Sequence, residues 1–489
     1  MTGDQTLVID GCAIAVVDVE GTEYERGHIV IDGDRIVSVA DGPAPRDSAT
    51  ARYVDGHGCL ATPGLVNTHH HLYQCATRGY AQEAILFDWL KTLYPIWAGI
   101  DEDIVGVAAR AGLASLALSG CTLSTDHHYV FPRGAGDLLG ATVAAAAEIG
   151  LRFHPTRGSM DLGQSTGGLP PDAVIEDLDT ALAATADAID RFHDPSPGAR
   201  VRVAVAPCSP FSASGALMRA AAELARDRGV RLHTHLAETI EEEEYCRELF
   251  GRSPVEYMAD LGWLGPDVWM AHCVWLGDDA IRRFAETGTG VAHCPSSNAR
   301  LGAGTAPVRR LLDAGAPVGL GVDGAASNEA GELVMELRQA LLMARVRPVD
   351  PGSSGAQETA AAGGGHVAAP AGPASLTARE ALRLATRGGA QCLGWESELG
   401  SLQPGKLADL ALWRLDGIGH VDIADPVAAL VLGPRPPLSL LLVGGRTVVE
   451  DTELRTADVN TVARSARAAA HRLSPEGSRT AKPLTMKVP

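Results

Sequence analysis

The spacing of hydrophobic positions changes twice along this chain, from a period of two to buried runs separated by helical stretches, and back again. From Leu7 to Val19, His28 to Asp32 and Arg35 to Val39 apolar residues alternate with polar ones, the period of a half-buried strand, and Asp32-Gly-Asp34 predicts a hairpin turn. From Leu60 onward, short and almost uninterrupted apolar runs alternate with Ala-, Leu- and Arg-rich stretches of helical period, such as Glu102 to Leu118, Asp172 to Phe192 and Ser214 to Arg228. Strands alternating with helices predict a parallel sheet with crossover helices. Eight runs can be counted, ending near Thr68, Asp126, Arg157, Ala206, His235, His272, His293 and Asp323. Eight strand–helix units predict a (β/α)8 barrel, whose site lies at the C-terminal ends of its strands.

After Gly400 the β texture returns, in Ala408 to Trp413 and Leu440 to Glu450 with a Gly444-Gly445 turn. The simplest arrangement is a small β-sandwich domain built from both chain ends, residues 1–58 and 400–459, flanking a barrel over 59–399. A helix from about Asn460 to Leu473 and a loose polar tail complete the chain. Within the barrel, Gly352 to Pro373 is rich in Gly, Ala, Ser and Pro and reads as a flexible loop. Thr377-Ala-Arg-Glu380 is a capping-box pattern that starts a helix through about Gly388.

Composition narrows the classes. No uncharged stretch of the 489 residues approaches a membrane span, and the N-terminus lacks a basic region followed by an apolar core. Nine cysteines are scattered singly from Cys12 to Cys392 with no Cys-x-x-Cys pair, a pattern of reduced thiols and a cytoplasmic setting. A formal charge of −19 argues against a nucleic-acid partner, because phosphate binding needs a basic surface. The expected partner is a small neutral or weakly charged molecule, with no nucleic acid and no membrane; monomer or homo-oligomer is left open.

Nearly every barrel run ends in a residue able to bind a metal, carry a proton or hydrogen-bond a ligand. At the first, His69 and His71 project to one face and His70 to the other. Two imidazoles at the end of an apolar strand suit a transition-metal ion. The fifth run, Arg231-Leu-His-Thr-His-Leu-Ala-Glu238, offers His233 and His235 on a common face; His235 lies nearer the strand's C-terminal end and is the better placed. Glu238, where the chain leaves the strand, is a candidate proton carrier. The following run Glu241 to Glu244 reads as acids at a helix start. His272 can orient or polarise a substrate, and Asp323 can bind metal and hold the attacking water. His293 reads as structural, and the Ser-Ser-Asn298 loop after it as hydrogen-bonding groups or turn chemistry. His127 and His128 can reach a substrate or cap the rim. Gly319-Leu-Gly-Val-Asp-Gly324 matches a dinucleotide fingerprint, but its glycines lie inside a strand and not at a strand-to-helix turn, which excludes that reading.

Taken together, Pro63-Gly-Leu-Val-Asn-Thr-His-x-His, His235-Leu-Ala-Glu238, the His272 strand, Val-Asp323-Gly-Ala-Ala-Ser-Asn and Gly400-Ser-Leu-Gln-Pro-Gly-Lys-Leu-Ala-Asp409 resemble the amidohydrolase superfamily, in its cytosine/guanine deaminase and triazine hydrolase branch. Thr68-His-His-His-Leu-Tyr-Gln-Cys-Ala-Thr-Arg78, Leu86 to Trp97 and Ile423 to Gly433 are most similar to the 8-oxoguanine deaminases of that branch. The resemblance implies one divalent metal, zinc or iron, on His69, His71, His235 and Asp323, with Glu238, His272 and Asp323 as the catalytic groups. It further implies Gln74 as the glutamine that meets a purine. Cys208 stands after Pro207 where guanine deaminases carry an arginine, which implies a differently decorated ring. The expected activity is hydrolytic deamination of a free aminated purine, 8-oxoguanine to urate and ammonia. Guanine, isocytosine, a pterin or an s-triazine are the alternatives on the same residues. A non-catalytic ligand-binding relative would require the loss of a ligand or of the shuttle, and none is missing.

Overall fold

The computed structural model describes residues 6–45, 51–348 and 370–474, with the backbone of 359–360 and 366–367. Eight parallel strands close a barrel: Leu65–Asn67, Cys121–His128, Arg152–Ser159, Ala204–Pro207, Leu232–Leu236, Val268–His272, Gly290–His293 and Val318–Leu320. Every residue in these strands is buried, so none of them alternates, and even the largely polar Cys121–His128 and Arg152–Ser159 lie wholly inside. Asp323 lies just past its strand, which ends at Leu320, whereas Asp126 sits inside a strand that continues to His128.

Helices cover the outside. Glu102–Leu118 forms as the pattern predicts, with the Asp101 side chain accepting from the Ile104 amide; Ser214 caps Gly215–Asp227 in the same way through Leu217. The stretch Asp172 to Phe192 divides instead into a 3-10 turn, Asp172–Val174, and a helix, Leu178–Phe192. The reason is Asp177, whose carboxylate serves better as an N-cap, on the Thr180 amide, than inside a helix. The Thr377–Glu380 capping box closes in both directions and starts Ala378–Arg383. The helix then runs beyond the expected Gly388, through a π turn at Leu384–Gly388 into Gly389–Leu393. That extension plugs the barrel floor: Ala390, Cys392 and Leu393 share a core cluster with Val66, Ala204, Trp269 and Ala292.

The two chain ends combine as the texture suggests. Leu7–Ala15, Glu23–Asp32, Arg35–Asp41, Arg52–Asp55 and Cys59–Pro63 join Leu410–Arg414, Leu438–Val443, Arg446–Glu450 and Glu453–Leu454 in one hydrogen-bonded sheet of nine strands. Cys59–Pro63 is the junction, parallel to Leu7–Ala15 and antiparallel to Leu410–Arg414. The Gly444-Gly445 hairpin has φ of 56° and 69°, the double positive φ that a tight turn of this hand requires. Val459–Leu473 forms the final helix; the tail from residue 475 lies outside the described residues. So does most of the expected loop Gly352–Pro373, apart from a ladder between Thr359–Ala360 and His366–Val367 and the stretch from Pro370. Among the described residues no helix is long and apolar enough to cross a membrane.

One buried ion pair ties the β sheet to the base of the barrel. Arg152, at the start of the third barrel strand, meets Asp409 through two hydrogen bonds of 2.9 and 3.1 Å and also donates to the carbonyls of Gly198 and Ala199. The Gly444 amide donates to the same carboxylate at 2.7 Å. Removing one member of such a pair strands a buried charge. Asp409→Asn is therefore expected to lower the unfolding free energy by about 3–5 kcal/mol, read by urea denaturation; a cost below about 1 kcal/mol would show that the pair does not hold the domains together.

Candidate metal and active site

The strand ends bring most of the predicted chemistry to one point. His69 and His71 follow the first strand, His235 lies near the end of the fifth, His272 closes the sixth and Asp323 follows the eighth. Asp323 Oδ1 lies 3.4 Å from His69 Nε2 and 3.3 Å from His71 Nε2, and His71 Nε2 lies 3.1 Å from His235 Nε2. All four side chains are buried.

Hydrogen bonds on the far side of each ring decide which nitrogen faces inward. His71 Nδ1 lies 2.7 Å from the His127 carbonyl and His235 Nδ1 lies 2.6 Å from the Cys208 carbonyl. A carbonyl only accepts, so both protons sit on Nδ1 and both Nε2 atoms carry lone pairs. His233, the other imidazole of the fifth strand, donates from Nδ1 to the Trp269 carbonyl at 2.9 Å, so its Nε2 accepts from His69 Nδ1 at 2.8 Å. His69 Nε2 is then a lone pair too, buried and without a hydrogen-bond partner. The choice between His233 and His235 is settled by position: His235 faces the cluster, and His233 stands behind His69 and fixes its tautomer. Burial lowers the proton affinity of all three inward-facing rings. Burial alone would raise Asp323, but the imidazoles against it, His69 first and then His71 and His272, hold it well below the usual carboxylate range. Three imidazole lone pairs and a carboxylate packed this closely repel one another unless a cation stands between them. This donor set fits a divalent transition metal.

His127 lies in the same cluster, its ring stacked on His235 at 4.7 Å between centroids. Its Nε2 donates to the Ala206 carbonyl, leaving Nδ1 without a partner. His128 donates to the Val130 carbonyl instead, and His293 is buried outside the cluster.

The candidate proton carriers flank the donors. Glu238 Oε2 lies 3.6 Å from His272 Nε2, which is 3.9 Å from Asp323 Oδ2. Burial pushes the Glu238 carboxyl up to about 7. Burial would lower His272, but the nearby Glu238 and then Asp323 outweigh it and raise the ring. Its Nδ1 lies 2.9 Å from Asn298 Oδ1, and Ser297 donates to Asp323 Oδ2 at 2.6 Å. Ser327 also donates to that oxygen, at 3.1 Å. Ser297 and Asn298 thus contact two site residues as hydrogen-bonding groups, one of the two sequence readings, and they do so from a short helix, Pro295–Arg300, and not from the expected loop.

A small cavity opens over this cluster, with Gln74, Cys208, Glu238, His272 and Asp323 in its wall beside the apolar Leu86, Trp89 and Phe211. The glycines of the false dinucleotide motif make room for it. A Cβ on Gly321 would lie 2.7 Å from the His69 Cβ, and one on Gly324 would lie 1.8 Å from Gln74 Oε1.

Comparison with known proteins agrees with this geometry. The amidohydrolase family model matches residues 60–448. The chain is 42% identical to the 8-oxoguanine deaminase of Pseudomonas aeruginosa over 462 residues, covering 94% of this chain and 97% of that protein. It is 39% identical to an isoxanthopterin deaminase from an unknown prokaryotic organism over 446 residues, 90% of each chain. Among solved structures it superposes on the atrazine chlorohydrolase TrzN of Arthrobacter aurescens TC1, complexed with zinc, with a TM-score of 0.86 at 36% identity, covering 95% of this chain and 100% of that one. By the family match across most of its length, by these relatives and by its barrel, the chain belongs to the amidohydrolase family.

Proposed function

We propose that this protein is a metal-dependent hydrolytic deaminase of free aminated purines, with 8-oxoguanine as substrate and urate and ammonia as products. The observation that carries the substrate class is Gln74. It is buried in the cavity wall with both its amide nitrogen and its amide oxygen unpaired. A carboxamide in that state pairs with a ring that offers N–H and C=O side by side, as 8-oxoguanine does, and leaving it unpaired is costly. Cys208 leaves its part of the wall uncharged, since burial pushes the thiol up to about 12. The 42% identity to an 8-oxoguanine deaminase supports this choice of ring.

His69, His71, His235 and Asp323 would hold the metal, zinc by the likeness to zinc-bound relatives. When bound there, a metal of this kind acidifies a water and polarises the carbon under attack. The remaining work falls to the protein's own groups. Asp323 and Glu238 take the protons of the attacking water as it adds to the carbon that bears the exocyclic amine. Glu238, with a proton affinity near neutrality, passes its proton to the adjacent ring nitrogen. His272, its Nδ1 proton held by Asn298 and its ring kept protonated by the neighbouring Glu238 and Asp323, donates from Nε2 to the oxygen that becomes negative at the tetrahedral stage. The carbon–nitrogen bond then breaks, and the departing amine takes its proton from Asp323 and leaves as ammonia.

Three outcomes are expected. Glu238→Gln lowers kcat by about 10²–10⁴-fold while metal content stays at the wild-type level; near-native turnover would remove Glu238 from the proton path. Chelation abolishes turnover and lowers Tm, and zinc at 100 times its Kd restores about 2.7 kcal/mol of stability; an unchanged Tm would contradict metal binding within the fold. Offered 8-oxoguanine, guanine, isocytosine, isoxanthopterin and an s-triazine, the zinc-loaded protein releases ammonia fastest from 8-oxoguanine. Rapid release from another ring alone would reassign the substrate and spare the mechanism.

A further inference from the structure

The acidic run Glu241 to Glu244 hides one residue that does not behave as a solvated helix start. Glu242 is 1% exposed, whereas its neighbours Glu241, Glu243 and Glu244 are not buried. It is the third residue of the helix Ile240–Phe250, the position from which a glutamate ordinarily reaches back to the capping residue, here Thr239. Glu242 reaches further. Its Oε1 accepts from the Ala237 amide at 2.9 Å and its Oε2 from the Glu238 amide at 3.1 Å.

The two amides converge because the backbone is forced to bend there. Ala237 has φ of 50°, a left-handed conformation that a non-glycine residue adopts only under strain. Successive N–H groups turned to one side form a concave anion site, and the Glu242 carboxylate fills it with both oxygens. From the other side the Ala237 carbonyl accepts from Val274 and Trp275 at 2.9 and 3.0 Å, in the turn just after His272. The bend is thus clamped between the helix and the His272 strand, and the residue it delivers is Glu238, 3.6 Å from His272. Burying a carboxylate on two amides, with no direct ion pair among the described residues, is a poor way to gain stability, which argues that the arrangement is kept for the placement it enforces.

We propose that Glu242 is the positioning residue of the proton shuttle: its carboxylate clamps the strained Ala237–Glu238 turn and so holds the Glu238 side chain in register with His272 and the cavity. The proposal rests on the reading of Glu238 as the proton carrier. A glutamine at 242 presents an amide nitrogen to one of the two N–H donors and breaks half the clamp; an aspartate is too short to span both.

Hydrogen–deuterium exchange and steady-state kinetics on the zinc-loaded full chain test it. In the wild type the amides of 237 and 238 are expected to be protected, and in Glu242→Gln and Glu242→Asp to exchange at least 10-fold faster. On 8-oxoguanine, kcat is expected to fall by about 10²-fold in both variants, the scale of a small misplacement of a reacting group. KM should stay within about threefold and zinc at the wild-type stoichiometry. Fast exchange of these amides in the wild type would overturn the clamp whether or not either variant folds. Faster exchange in a variant with kcat unchanged would overturn the positioning role, as would equal changes in kcat and zinc content. A Glu238→Gln enzyme that keeps its turnover marks the failure of the underlying reading, and it leaves the exchange result on the clamp standing as a separate outcome.

Discussion

The site depends on where three imidazole protons are held. Carbonyls of His127 and Cys208 take those of His71 and His235, and His233 takes that of His69. Each bond points one lone pair inward, toward a carboxylate that is itself held by Ser297, Ser327 and the Gly324 amide. The fold therefore brings together groups that repel one another in the absence of a cation. The energy for this comes from the surrounding barrel, whose strands are buried throughout and whose floor is closed by the helix that runs on past Gly388.

The same compression explains the unusual backbone at the strand ends. Ala237, His272, Cys273 and Asp323 all have φ between 50° and 71°, in the region that side chains avoid. They carry or flank the residues assigned to proton transfer, at the places where the chain must leave a strand and still aim a side chain over the barrel mouth. Gly321 and Gly324 meet the opposite need, with no Cβ where His69 and Gln74 approach.

Much of this could be read from the sequence because burial and periodicity are local properties. Apolar runs located the eight strands, and strand alternation placed His69 beside His71 and set His70 apart. What escaped depended on contacts between distant residues. Spacing could not separate His233 from His235, because both face inward and only the Trp269 carbonyl and His69 assign their roles. The Ser-Ser-Asn segment reads equally as hydrogen-bonding groups or as turn chemistry; only the contact of Asn298 with His272, 26 positions earlier in the chain, decides for the first. The acidic run looked uniformly solvated, since nothing in four consecutive glutamates says which one turns inward. The helix after Asp172 is shorter than its pattern suggests because Asp177 fits either an interior position or a cap, and the structure makes it a cap.

The central claim is that His69, His71, His235 and Asp323 are held ready for one divalent metal. X-ray absorption at the zinc edge, on protein reconstituted with zinc and dialysed, tests it most directly. One zinc per chain is expected in a shell of nitrogen and oxygen only, at about 2.0–2.2 Å, with the outer-shell pattern of several imidazoles. A sulfur scatterer at about 2.3 Å, the mark of a thiolate such as Cys208, or zinc lost on dialysis, would contradict it.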